Sequence, residues 1–178
     1  GLIPKEYALK DIPQPGDLVL LFGGRTGRDG LHGATSSSAE TSSEVVTRKE
    51  SAAVPTGDPL TERRIMDAVP VLRDNGCIRT ITDLGAGGIS SAAGEMGSQT
   101  GVSLNLDLVP LKDPSLTAWE IILSESQERM LAAIPPEKLK EAQEILGRYG
   151  VESAVLGEFT DTKKFSAYWK GEKVVDIS

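Results

Sequence analysis

The stretch ITDLGAGGISSAAGEMG, Ile81 to Gly97, sets an acid, Asp83, directly before a run of glycines and small side chains. A carboxylate at a strand end followed by Gly85, Gly87 and Gly88 has the makings of an anion or metal site. Glycines let the backbone approach a ligand closely, and amides at a helix start point toward it with the positive end of the helix dipole. That geometry suits phosphate, with Asp83 holding Mg2+, because a hard cation is commonly bound by one or two carboxylates plus the substrate's own phosphates. The same residues also describe a plain tight turn with close helix packing, and spacing alone leaves both readings open.

Two further stretches concentrate polar groups. LSESQERML, Leu123 to Leu131, places Glu125, Ser126 and Gln127 just ahead of an apolar run. Ser and Gln both donate and accept, while Glu accepts from a hydroxyl or an amide, so the triplet reads either as a small-molecule site or as the solvated entry to a strand. FGGRTGRDGLHGATSS carries Arg25, Arg28, Asp29 and the single histidine, His32, among five glycines. Arginine forks with free amides make this a second candidate anion loop. His32 reads as structural, since no second histidine or neighbouring nucleophile completes a catalytic set.

The elements that must position these groups follow from periodicity. DLVLLFGG, Asp17 to Gly24, is a short apolar run ended by glycines, the pattern of a buried strand. From Arg25 to about Thr56 the chain is rich in Gly, Ser, Thr and Glu without an apolar face, and TSSEVVTRKES is its least ordered part by expectation. Asp58 caps a helix with Pro59 in its first turn; Leu60, Ile65, Met66, Val69 and Leu72 form its apolar face, and Pro70 should kink or shorten it. TITD is a strand running into the glycine turn, after which Ile89, Ala92, Ala93 and Met96 fall at helical spacing on a narrow small-residue face. VSLNLDLV alternates as a strand, RMLAAI is another, and PEKLKEAQEILGRYG is an amphipathic helix with Gly150 beyond its end. ESAVLGEFTD, KFSAYWKG and EKVVDIS are three more strands, the last two a hairpin. Strands and helices mixed without strict alternation predict an α+β fold, a mixed β-sheet packed by helices. Residues 1–16 read as an extended, proline-punctuated lead-in from a preceding domain and 17–178 as a single domain.

Composition narrows the function classes. At 178 residues the chain can bury roughly two-thirds of its unfolded surface without accessory staples. Hydrophobic residues at 39% and charged residues at 25% are those of a globular protein, and the apolar run Leu18 to Phe22 is far too short to span a bilayer. A net charge of -7 argues against a general nucleic-acid binder, which needs clustered Lys and Arg. The single cysteine, Cys77, reads as a small buried hydrophobe, and with no internal disulfide and no signal-like start the expected compartment is the cytoplasm.

FGGRTGRDGLHGAT, GDPLTERR, DLGAGGISSAAGEM and WEIILSESQERM, in this order and at about this spacing, resemble the synthetase subunit of phosphoribosylformylglycinamidine synthase, of the aminoimidazole ribonucleotide synthetase superfamily. The resemblance covers almost the whole chain, and LSESQERM is its most diagnostic element. It implies the first of two C-terminal-type domains, a mixed sheet with helices that works against a separate ATP-binding domain. It further implies an ATP-dependent C–N ligase of purine biosynthesis that uses ATP, Mg2+, formylglycinamide ribonucleotide and ammonia supplied by a glutaminase subunit or domain. By the same resemblance Asp83 is a Mg2+ ligand, Glu125, Ser126 and Gln127 bind substrate, and Gly85, Gly87, Gly88, Arg25 and Arg28 are a possible phosphate loop. The catalytic histidine and main ATP-binding residues belong upstream, so no catalytic residue is expected here, His32 does not take that role, and the domain alone is expected to be inactive. Pro55 stands where the family often has a substrate-contacting Gln, which puts that contact in doubt. Two alternatives stay open: a paralogue making aminoimidazole ribonucleotide or selenophosphate or serving hydrogenase maturation, which would not be expected to carry SESQERM, and a non-catalytic docking module with no affinity for the ribonucleotide.

Overall fold

Val19 to Phe22 alternate between two hydrophobic layers, so the first strand needs cover on both faces and is central. The computed structural model describes Pro4, residues 11–31 and residues 55–178. The predicted loop segment TSSEVVTRKES and His32 lie outside the described residues. In chain order the elements are β1 (Leu18–Gly23), α1 (Pro59–Asp74), β2 (Thr80–Asp83), α2 (Gly88–Gly97), β3 (Val102–Asn105), α3 (Ala118–Leu123), β4 (Arg129–Ile134), α4 (Leu139–Arg148), β5 (Ser153–Phe159), β6 (Phe165–Trp169) and β7 (Glu172–Ile177). Short 3-10 turns occupy Leu106–Leu108 and Pro136–Lys138.

The seven strands make one sheet in the order β2-β4-β1-β5-β3-β6-β7. Among these described strands only β3 and β6 pair in parallel; their other pairings are antiparallel. Val19 and Leu21 face a layer built by Ile89, Ala92, Ala93 and Met96 of α2 and Ile121 and Ile122 of α3. Leu20 and Phe22 face the opposite layer, with Ile65, Ala68 and Leu72 of α1 and Ala142, Ile145 and Leu146 of α4. Cys77 lies in this second core, fully buried. The predicted α+β mixed sheet packed by helices is the observed fold. Among the described residues no helix is long and apolar enough to cross a membrane.

Four local expectations change. Leu60 and Met66 are 60% and 59% exposed, and Ala68 takes the place predicted for them on the buried face of α1. Pro70 does not shorten α1, which continues to Asp74. Its ring denies a helical partner to the carbonyl of Met66, an exposed residue where water can replace the bond. The expected strand VSLNLDLV ends at Asn105, whose side-chain oxygen accepts the Asp107 amide at 3.0 Å and turns the chain into the 3-10 segment. The fourth is α3, absent from the sequence reading: Glu120 Oε2 accepts both the amide and the hydroxyl of Thr117, each at 2.8 Å, in a capping-box arrangement.

The start of α1 is tied to the rest of the molecule as well as capped. Asp58 Oδ1 accepts the amides of Leu60 and Thr61, both at 3.1 Å, and Oδ2 accepts the Thr61 hydroxyl at 2.7 Å. The Asp58 amide in turn donates to Glu128 Oε2 at 2.9 Å, just ahead of β4. Replacing Asp58 by Ala should lower stability by about 1 kcal/mol and Asn should retain most of it. Urea unfolding of the domain checks this, and coincident curves for wild type and Asp58→Ala would mean that the cap does not hold the helix.

Candidate functional site

Three stretches far apart in sequence meet because β4 lies between β1 and β2 and runs antiparallel to both. The ends of β1 and β2 therefore flank the beginning of β4: Gly23 lies opposite Arg129, and Asp83 opposite Met130. The glycine loop after β1, the glycine turn after β2 and the Ser124–Glu128 loop before β4 converge at this end of the sheet. Backbone bonds fasten them, from Gly24 N–H to Glu128 O at 2.8 Å, from Leu84 N–H to Arg129 O at 3.1 Å, and from Glu125 N–H to Asp29 O at 2.8 Å.

At the centre is Arg129, only 2% exposed. Its Nε donates to Ser126 O at 2.8 Å, Nη1 to Thr26 Oγ1 at 2.8 Å and Nη2 to Ser124 O at 2.5 Å. Burial pushes its guanidinium down to about 10, opposed by the negative charge of Asp29. It stays cationic at neutral pH. Ser126, fully buried, donates its hydroxyl to the Asp29 carboxylate and accepts the Gly27 amide at 2.8 Å. Lys112 Nζ closes the network on Asp29 Oδ2 at 3.1 Å.

Glu125 Oε1 accepts the Gly87 amide at 3.1 Å, so the SESQ loop touches the glycine turn directly. Two glycines are required by this approach. A Cβ at Gly88, where φ is +54°, would stand 2.1 Å from the Ser124 carbonyl oxygen, and a Cβ at Gly30, where φ is +72°, would stand 2.4 Å from Glu125 Oε2. Gly88 of ITDLGAGG thus serves close packing of this loop.

The candidate residues divide accordingly. Asp83 is exposed at the end of β2, with its carboxylate beside Gly85, and no described residue donates to it or pairs with it. Glu125 is half-buried and Gln127 exposed, its Nε2 donating to Glu125 O at 3.1 Å. Ser126 faces inward and its side chain braces the loop. Of the phosphate-loop candidates, Gly87 already gives its amide to Glu125, and both arginines are engaged elsewhere. Arg25 forks onto Glu152 at 2.8 and 3.1 Å. Arg28 bonds Glu120 at 2.8 Å, Asp113 at short range, and the Ser115 hydroxyl at 3.0 Å. Pro55 is half-buried and no described contact assigns it a site role.

Asp29, Thr26, Ser124 and Arg129 were not predicted as site residues. Arg129 carried a usable signal, since a charged residue opening an apolar strand must find several acceptors if it is buried. Among the described residues no group of three or more His, Cys, Asp or Glu is placed to hold a metal. A cation at Asp83 would therefore need most of its ligands from outside the described residues. A groove of about 500 Å³ lies elsewhere, lined by Leu18, Asn105, Val155, Gly157 and Tyr168 among others, and includes none of these residues.

Residues 14–170 match the family described as AIR synthase related protein, C-terminal domain. The chain belongs to that family. Phosphoribosylformylglycinamidine synthase subunit PurL of Ignicoccus hospitalis is 41% identical over 179 residues, 99% of this chain and 25% of that protein. Among solved structures, Thermotoga maritima PurL complexed with FGAR superimposes with a TM-score of 0.81 at 31% identity, covering 94% of this chain and 28% of that one. The same protein complexed with ATP gives 0.77 at 29% identity, covering 94% and 26%. The chain spans about a quarter of the length of the relatives it matches. The three stretches that converge at this end of the sheet lie within the residues matched to the AIR synthase related C-terminal domain.

In this AIR synthase related domain the Arg28 cluster fixes α3, and with it the approach to the SESQ loop. Asp113 is held down from 3.8 to about 2 by the Ser115 amide, then by the Ser115 hydroxyl and the Arg28 guanidinium. Its folded value lies below the unfolded one, so its contribution is present above 3.8 and is lost as pH falls toward about 2. Asp113→Asn should melt below wild type at neutral pH, and the two melting temperatures should converge over that acid range. Parallel curves would show that the charge contributes nothing there.

Proposed function

We propose that the chain is the substrate-holding domain of a PurL-type synthetase, an ATP-dependent C–N ligase that converts formylglycinamide ribonucleotide to formylglycinamidine ribonucleotide. The observation that carries this is the placement of Glu125 against the Gly87 turn, beside exposed Asp83, in a chain similar to PurL over 99% of its length. That a PurL of the same fold has been solved with FGAR, and again with ATP, supports both ligands.

In the proposed reaction the substrate's amide oxygen attacks the γ-phosphorus of ATP and ADP leaves, giving an iminophosphate. Ammonia then adds at the same carbon and inorganic phosphate departs, leaving the amidine. Glu125 accepts from a substrate hydroxyl or amide, Gln127 supplies an exposed donor and acceptor, and Ser126 contributes through the loop it holds. Asp83 would hold Mg2+, which would offset negative charge on phosphate oxygens. The work of this domain is positioning and fixed electrostatics rather than covalent chemistry.

The reading includes a separate ATP-binding domain, a glutaminase that delivers ammonia, and action in the cytoplasm, where Cys77 remains a buried free thiol. Residues 17–178 are taken as one domain, with 1–16 its lead-in. The domain alone, given ATP, Mg2+, formylglycinamide ribonucleotide and ammonium, should show no turnover above a buffer blank. Product formation would refute the need for a second domain.

In the full-length enzyme Asp83→Asn should fold normally and lose about 10²-fold or more in kcat, with part restored by raised Mg2+. If Asp83 only shapes the turn, Asn makes similar local bonds and kcat stays unchanged with the same Mg2+ dependence. Measuring kcat against Mg2+ for both proteins decides between a ligand and a turn residue.

A further inference from the structure

We infer that Arg129 and Asp29 are positioning residues that hold the Glu125 carboxylate in register with the Gly87 turn while touching no substrate themselves. The inference rests on the functional reading above and adds to it the part of the molecule that fixes the substrate contact.

Glu125 is clamped on both flanks. Arg129 takes the carbonyl of Ser124 on one side at 2.5 Å and that of Ser126 on the other at 2.8 Å, so one guanidinium brackets the residue. Asp29 works from the opposite direction, its carbonyl accepting the Glu125 amide at 2.8 Å and its carboxylate accepting the Ser126 hydroxyl. Thr26, on the same loop as Asp29, accepts from Arg129 at 2.8 Å. With the flanking carbonyls and its own amide fixed, Glu125 keeps little freedom beyond its side-chain torsions, and Gly87 N–H restrains those through Oε1 at 3.1 Å.

Neither positioning residue can reach a ligand directly. Arg129 is 2% exposed, and Asp29 is 9% exposed with its carboxylate between Ser126 and Lys112. Plain stabilisation of the fold does not require a charge here, because buried ionic groups are often matched by apolar residues of similar volume. An apolar residue at position 129, however, would leave the Ser124 and Ser126 carbonyls without this donor and the loop free to shift. Fixing the loop before substrate arrives removes an ordering cost from binding.

The test uses the full-length synthetase carrying this domain and measures KM for formylglycinamide ribonucleotide, KM for ATP, and kcat. Arg129→Lys keeps the charge and loses the fork, so one ammonium replaces three directed donors. Its ribonucleotide KM should rise by about 10²-fold while the ATP KM stays within about threefold. In a Glu125→Ala background the same substitution should change the ribonucleotide KM by less than about threefold, since the group it positions is gone. Ser126→Ala, a smaller change, should show the same pattern more weakly and carries the comparison if Arg129→Lys does not fold, as judged by circular dichroism. A ribonucleotide KM that ignores both substitutions, or an effect that persists undiminished without Glu125, overturns the inference alone. A wild-type enzyme that does not use the ribonucleotide, or a Glu125→Ala variant with unchanged KM, overturns the functional reading and takes this inference with it.

Discussion

A single buried cation organises one end of this fold. Arg129 opens β4, the strand wedged between β1 and β2, and its three directed bonds reach Ser124, Ser126 and Thr26. Burial without a directly bonded carboxylate is costly enough to lower its guanidinium to about 10, against the pull of Asp29. Such a group persists only where every acceptor is in place, and removing a partner from a buried charge typically costs about 3–5 kcal/mol. An exposed pair such as Arg25 with Glu152 belongs to a class worth about 0–1 kcal/mol. The salt bridges visible on the surface therefore say little about what holds the site, whereas the arginine that lacks one says a great deal.

Antiparallel pairing is the reason three motifs meet around Arg129, two through its guanidinium and the glycine turn through its backbone carbonyl. Because β4 runs against both neighbours, whatever follows β1 and β2 must meet whatever precedes β4. A strand running parallel to its neighbours would have sent the loop to the far end of the sheet. The glycine turn and the SESQ loop are thus adjacent by topology, and close approach is then a matter of side-chain size. Gly88 lies so near the Ser124 carbonyl that no side chain fits, and the small residues of α2 let that helix lie close under the same loop.

The strands and helices were legible where one periodicity dominated. β1, β4, the small-residue face of α2 and the β6–β7 hairpin, with Lys170 and Gly171 both at positive φ, follow from pattern and turn chemistry. α3 escaped because six residues are too few for a helical period to show, although Thr117 and Glu120 carried its capping signature. Leu60 and Met66 look like core on a helical wheel, but the sheet covers only the narrower face of Ile65, Ala68 and Leu72. In the candidate site, residue type singled out loops that the fold brings together, and it carried no information on which of their side chains are held by internal bonds. Arg28 looked anion-seeking until its partners Glu120 and Asp113 arrived from 92 and 85 residues away. The Ser126 hydroxyl is engaged by Asp29, 97 residues back. Long-range pairing of that kind has no local signal, so the sequence alone could not tell a binding side chain from a brace.

The same pairing pattern bears on Asp83. Around this end of the sheet the other carboxylates have protein donors: Asp29 from Ser126 and Lys112, Glu125 from Gly87, Glu128 from Asp58, and Asp113 from Arg28 and Ser115. Asp83 is exposed and has no such donor among the described residues. A carboxylate already bonded to an arginine would have to break that bond before taking a cation, and its affinity would fall by the strength of the bond. One held at a strand end by backbone pairing alone, beside a turn fixed by its neighbours, meets a cation without rearrangement. That asymmetry separates the two halves of this end of the sheet: a loop whose geometry is set by internal bonds, and one exposed acid without a protein donor among the described residues, on which the proposed Mg2+ role rests.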